Sequence, residues 1–239
     1  MKFLNRWLIE GTLTTHTPLR IGDGGVTTRP DCDFLQERKR GKKTGKSVEI
    51  SSVAVDFESR AYIPATTIKG NLRSWALACG LDPALLDLFF GSENPQAVNA
   101  VAGKSQFWNA HAVKKDYQFA HDPPGWDAGR LTAVAYGIAV MRRTRTVREK
   151  KLFHQEYVPP GVTFSFALGG NDYEEHDERT HGNKGLLELL ILLEGFNLVN
   201  AVTLGAEADG LEKGWGRLRW DLATIKRLGC DEVKEWVAA

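Results

Sequence analysis

The stretch that most restricts how this chain can fold is Tyr62-Ile63-Pro64-Ala65-Thr66-Thr67-Ile68-Lys69-Gly70-Asn71-Leu72-Arg73. Pro64 closes a short extended run, since proline lacks the N–H a ladder needs and holds its predecessor extended. Beyond it, Ile68, Leu72, Trp75, Ala76 and Cys79 follow a helical spacing. Thr66 and Thr67 stand at the helix start, where hydroxyls satisfy orphan N–H groups and the helix end attracts anions. Lys69 and Arg73, one turn apart, are expected to add a second layer of positive charge. The segment reads as a strand-to-helix junction suited to a phosphate.

The rest of the chain mixes strands and helices without βαβ repetition, which predicts an α+β architecture. Residues 3–16 read as a strand, Gly22 to Gly25 as a glycine-rich turn, and Val53 to Ile63 as a returning strand. Gly80 stops the first helix, and Asp82-Pro83 opens a second one through Phe90. Further strands are expected at Gln106 to Trp108, Leu131 to Met141, Lys151 to Val158 and Val162 to Leu168. Gly169 to Asn183 reads as an acidic loop, Leu186 to Leu193 as a buried helix and Arg217 to Trp220 as a short strand. A last amphipathic helix is expected at residues 230–237.

Net charge is only +1, but the charge is segregated. Arg38, Lys39, Arg40, Lys42, Lys43 and Lys46 crowd one segment, and Arg142, Arg143, Arg145, Arg148, Lys150 and Lys151 another. Asp172, Glu174, Glu175, Asp177 and Glu178 gather elsewhere, so a basic face can exist on a neutral protein. The three cysteines are far apart and odd in number, which argues against a disulfide framework or a cysteine zinc site. No stretch approaches the roughly 20 apolar residues of a membrane span, and Met1 to Trp7 does not read as a signal peptide. A cytoplasmic protein without membrane partners is the expectation. The six histidines show no metal-ligand spacing, and no phosphate-binding Walker loop, serine elbow or dinucleotide fingerprint is present.

A second landmark is Leu204-Gly205-Ala206-Glu207-Ala208-Asp209-Gly210-Leu211-Glu212-Lys213-Gly214-Trp215-Gly216-Arg217. Its glycines allow close backbone approach to an anion, and Lys213 and Arg217 bracket them. Two more elements stand out, Pro18-Leu19-Arg20-Ile21-Gly22-Asp23-Gly24 and the run from Val147 to Phe164 that contains Leu152-Phe153-His154-Gln155-Glu156-Tyr157-Val158-Pro159-Pro160-Gly161.

Together these four elements resemble the RAMP superfamily, as found in the RNA-binding backbone subunits of type III CRISPR effector complexes. The junction is similar to the family's I-P-G-S-S-L-K-G-x-L-R signature, with Ala65 and Thr66-Thr67 in place of Gly and Ser-Ser. The front element is similar to P-L-h-I-G-s-G, the 147–164 run to the thumb and following strand, and the late loop to L-G-G-x-x-s-R-G-x-G-R. They occur in family order between positions 18 and 217. The run at 147–164 lacks the family's Asp before Arg148.

The resemblance implies a modified ferredoxin-like (RRM-related) core in one domain spanning 1–239. Insertions are expected at about 36–52 (a basic loop) and about 142–160 (a thumb region). It implies that Arg20, Gly22, Thr66, Thr67, Lys69, Arg73, Arg145, Arg148, Lys150, Gly205, Lys213, Gly214, Gly216 and Arg217 contact RNA. The implied partners are CRISPR RNA, complementary target RNA, neighbouring RAMP-type subunits and other subunits of the complex. Asp31-Cys32-Asp33 can be laid over the family's D-x-P-I/V segment, making Asp31 the catalytic acid with Asp33 as second choice. A loop carboxylate there would hold a divalent metal ion, Mg or Mn, or orient a ribose 2′-OH for in-line attack, with no organic cofactor. Two alternatives stay open. One is a non-catalytic architectural subunit of the same complex. The other is a metal-independent CRISPR RNA-processing endoribonuclease using His16 or His111.

Overall fold

The computed structural model of the chain describes residues 2–28, 38–39, 42–43, 49–78, 80–94, 96, 98, 100–140, 147–174 and 218–229. The expected helices at Leu186 to Leu193 and at 230–237, and the glycine loop at 204–217, lie outside these residues.

The long first strand β1 (Lys2–Thr15) forms because its residues alternate, with Ile9 and Leu13 buried while Leu8, Glu10, Thr12 and Thr14 keep partial access to solvent. It pairs antiparallel with β11 (Thr163–Glu174), placing Ile9 opposite Leu168 and Leu13 opposite Phe164. On its other side lies β12 (Leu218–Gly229), with a register shift between Glu10 and Gly11. The edge strand β7 (Ser105–Phe107) completes the sheet against β11. The order is β12-β1-β11-β7. Counted along the chain this is 4-1-3-2 with every neighbour antiparallel, the arrangement of a ferredoxin-like sheet, as expected.

Helix α1 (Ala65–Ala78) covers one face of this sheet with Ile68, Leu72 and Ala76, an i, i+4, i+8 stripe that joins the core around Ile9, Leu13, Phe164, Phe166 and Leu168. Gly80 takes φ +84° just after the helix, and Leu81 N–H donates back to the Ala76 carbonyl. Helix α2 (Pro83–Phe90) then starts where Asp82 accepts a bond from Ala84 N–H, with proline in its first turn. Its Phe89 and Phe90 pack against Phe107 of β7.

A second sheet, β2-β5-β10-β9, is additional to this core. It contains β2 (Gly22–Thr28), β5 (Glu49–Val53), β9 (Ala133–Val140) and β10 (Val147–Tyr157). Most of the expected thumb span is therefore the second arm of a β9–β10 hairpin. Leu19 and Val158 exchange two backbone bonds of 2.9 and 2.8 Å and tie the two sheets together. Within the basic segment, β3 (Arg38–Lys39) pairs with β4 (Lys42–Lys43). A two-stranded ladder joins β6 (Tyr62–Ile63) to β8 (Ala110–His111).

Three expectations are corrected. The glycine-rich turn at 22–25 is part of strand β2, whose irregular pairing with β5 and the positive φ of Gly24 absorb the bend. The single strand from Val53 to Ile63 is broken by a tight turn at Asp56 to Ser59, because the Asp56 carboxylate collects the N–H groups of Glu58 and Arg60. The acidic loop expected from Gly169 is strand as far as Glu174, because Gly169 to Glu174 continue β11, and the rest of that expected loop lies outside the described residues. Glycine stands there because a side chain at 169 would come within 2.8 Å of the Trp7 carbonyl and 2.7 Å of the Trp108 ring. Among the described residues no helix is long and apolar enough to cross a membrane.

Candidate functional site

The start of α1 is built by strand β8 as much as by its own sequence. Ala65 N–H donates to Asn109 Oδ1 at 2.9 Å, while Thr67 and Ile68 N–H groups bond the Pro64 carbonyl at 3.0 and 3.2 Å. The expected hydroxyl cap is thus replaced by an amide 44 residues away, delivered because Ile63 pairs with Ala110. Thr66 and Thr67 lie inside the first helical turn instead of before it. Thr66 is exposed, and Thr67 and Lys69 are half-buried, so an outside ligand can reach the hydroxyl of Thr66 and part of the Lys69 side chain.

Arg73 turns inward. Its guanidinium bonds Asp87 Oδ1 at 2.5 Å, Glu93 Oε1 at 3.1 Å and the Gly91 carbonyl at 2.7 Å. Burial works against its charge, but the bonds to Asp87 and Glu93 outweigh that and raise its pKa. The charge expected to face a phosphate is instead occupied in fastening α1 to the end of α2.

Beside the helix start sits a pair that motif reading singled out only in part. His111 Nδ1 lies 2.9 Å from Asp56 Oδ2, with Asp56 3% and His111 37% exposed. The Asp56 carboxylate also receives the backbone N–H groups of Glu58 and Arg60 at 2.9 Å and the Arg60 guanidinium at 3.2 Å. Burial disfavours its ionised form, yet the Arg60 N–H, the His111 ring and the Arg60 charge hold its pKa below the usual carboxylate range. An ionised Asp56 can only accept, so the ring proton that faces it is carried on Nδ1. Tyr62 stacks on the imidazole at 5.7 Å between centroids.

The front element joins this region through the backbone, since Ala54 N–H donates to Ile21 and Tyr62 N–H donates to Ala54. Arg20 folds over Gly22, where a Cβ would meet its guanidinium at 3.4 Å. Asp23 accepts Ser52 Oγ at 2.5 Å and Gly25 N–H at 2.7 Å, and its pKa is lowered chiefly by the Ser52 bond. Behind both, the fully buried Glu156 accepts two bonds of 2.9 Å from Arg130, one of 3.1 Å from Thr132 Oγ1 and one of 3.2 Å from Val53 N–H. That motif glutamate ties β5 and β10 to the turn before β9.

The structure thus brings Arg20, Gly22, Thr66, Thr67 and Lys69 into linked elements and engages Arg73, partly buried, with Asp87, Glu93 and the Gly91 carbonyl. Asp31, Asp33, Arg145, Gly205, Lys213, Gly214, Gly216 and Arg217 lie outside the described residues. Arg148 and Lys150 are placed on β10 by their backbone alone. Among the described residues no group of three or more His, Cys, Asp or Glu forms a metal-holding cluster. Sequence reading missed Asn109 and Asp56, whose roles depend on partners brought in by strand pairing.

The family model of the RAMP superfamily matches residues 12–227, from within β1 to within β12. No curated protein matches the chain.

Proposed function

Because the chain belongs to the RAMP superfamily, whose members are CRISPR-associated and RNA-binding, we propose that it is a CRISPR RNA-binding backbone subunit of a type III antiviral effector complex. The observation that carries this reading is the first turn of α1. There Thr66 is exposed and Lys69 half-buried, on a helix start held by Asn109 and riveted at Arg73. A phosphate bound there gains the partial positive charge of the helix end and a nearby ammonium, without any element having to move. Arg20 and Gly22 flank it through the Ile21–Ala54–Tyr62 backbone links. Gly205, Lys213, Gly214, Gly216 and Arg217 are assigned to a second stretch of the guide backbone, and Arg145, Arg148 and Lys150 to the guide–target duplex. Neighbouring subunits of the same kind complete the groove.

The same reading assigns cutting of complementary target RNA to Asp31, with Asp33 as second choice. A divalent ion held by Asp31, Mg or Mn, would supply charge neutralisation at the scissile phosphate. Asp31→Ala in the assembled complex is expected to abolish one target cleavage site and leave guide binding intact. Unchanged cutting in both Asp31→Ala and Asp33→Ala variants would establish the purely architectural subunit instead.

The Asp56–His111 pair favours a second reading, a metal-independent RNA-processing activity. A histidine oriented by a buried carboxylate and itself 37% exposed can accept a proton from a ribose 2′-OH or return one. Hydrolysis of a repeat RNA by the isolated chain in EDTA, lost in His111→Ala, would put this reading first. An intact repeat RNA would remove it.

A further inference from the structure

The ferredoxin-like sheet has a second face, away from α1, and one aromatic side chain on it has no role in the core. Alternation sends Phe107 and Trp108 to opposite faces at the end of β7. Phe107 packs towards the helices, stacked on Phe90 at 6.1 Å. Trp108, whose backbone N–H donates to the Ala167 carbonyl at 3.4 Å, rests its six-membered ring on Gly169. A Cβ at that glycine would stand 2.7 Å from Trp108 Cη2, so the ring occupies the space of a missing side chain. The indole is nevertheless 39% exposed.

Among the described residues its neighbours on this face are mostly polar or small, with Leu8 the exception, and do not make the apolar ring that a protein-binding anchor needs. Gln106 is paired directly with Gly169, the Ala167 carbonyl accepts the Trp108 backbone N–H, and Ser165 further along β11 is exposed. On β1, Leu8 is the partner of Gly169. Arg6, two residues beyond Leu8, lies on the same face at roughly 7 Å along the strand. Glu10, in register with Ala167, has an interaction of its own. An exposed aromatic face, an amide and a guanidinium at this spacing match the three parts of a nucleotide in a single strand: base plane, base edge and phosphate.

We propose that Trp108 is a stacking platform for one unpaired nucleobase of bound RNA, with Gln106 at the base edge and Arg6 at an adjoining phosphate. The proposal rests on the RNA-binding reading above and adds to it a subsite on the opposite face of the sheet. Stacking on an indole is sequence-tolerant and releases no counterions, which separates its effect from that of the cations.

The test uses the full chain and single-stranded RNAs of one length that carry 2-aminopurine at successive positions. Wild type is expected to quench the label at the stacked position. Trp108→Leu, which keeps an apolar body without an aromatic face, is expected to lose that quenching and to bind about 5- to 150-fold more weakly. Its salt dependence should be unchanged, Arg6→Ala should flatten that dependence, and Trp108→Phe should keep most of both affinity and quenching. Wild-type affinity and quenching in Trp108→Leu would overturn the platform while leaving RNA binding in place. No RNA binding by wild type would overturn the RNA-binding reading itself, and the platform with it.

Discussion

The Arg73 guanidinium lies 2.5 Å from the Asp87 carboxylate, and this short ion pair joins the two helices that cover the ferredoxin-like sheet. A cation one turn beyond Lys69 is therefore a brace that fixes α1 against the end of α2. Arg73→Ala leaves Asp87 and the Gly91 carbonyl without this donor. The partial exposure of the pair softens the loss, so the expected cost is about 1–3 kcal/mol in a denaturant titration. Arg73→Lys should recover only part of it, since an ammonium cannot reproduce the fork that reaches three acceptors.

Glu156 carries a heavier structural duty. It is fully buried and serves Arg130, Thr132 and Val53 at once. Glu156→Ala strands a guanidinium and a buried N–H, for an expected loss of about 3–5 kcal/mol. The melting temperature of the variant checks this. A loss below about 1 kcal/mol would show that Arg130 finds water or another partner easily.

Acid should destabilise the fold in two separate windows. His154 is buried, and burial pushes its pKa below the ordinary value. Its folded pKa is depressed, so the unfolded chain takes up the proton first, and stability falls as pH drops below about 6.5. Asp56 and Asp23 have lowered pKa values too, and their contribution is present above about 4 and fades as pH falls through their folded values. Melting temperature followed from pH 8 to pH 3 should show both steps. His154→Gln should remove the upper one, and Asp56→Asn should shrink the lower one.

Much of this architecture was readable from residue patterns. Alternation in 3–16, the Ile68–Leu72–Ala76 stripe and the Asp82-Pro83 start each depend on neighbours within one element, and each appears where expected. Partners that strand pairing imports were not readable. Spacing placed Lys69 and Arg73 on one helix face, but the turn at Gly80 brings Asp87 back to Arg73 and takes it out of that layer. The cap from Asn109 is invisible because it comes from the residue just before β8, and hydroxyls at 66 and 67 look like a sufficient substitute. Glu156 did carry a signal. It alternates with His154 and Val158, so a carboxylate on their buried face needed a partner, although nothing local identified Arg130. Gly169 read as loop because glycine usually means a turn, whereas here it makes room for Trp108 and the Trp7 carbonyl.

The most direct test of the RNA grip is a titration of labelled single-stranded RNA against wild type, Lys69→Ala and Arg73→Lys over a range of salt concentrations. The account predicts salt-dependent binding by wild type. Lys69→Ala should bind more weakly, with a slope of log affinity against log salt reduced by about 0.7, the share of one phosphate contact. Arg73→Lys should keep the wild-type slope. An unchanged slope and affinity in Lys69→Ala, or a wild-type protein that fails to bind RNA at any salt concentration, would contradict it.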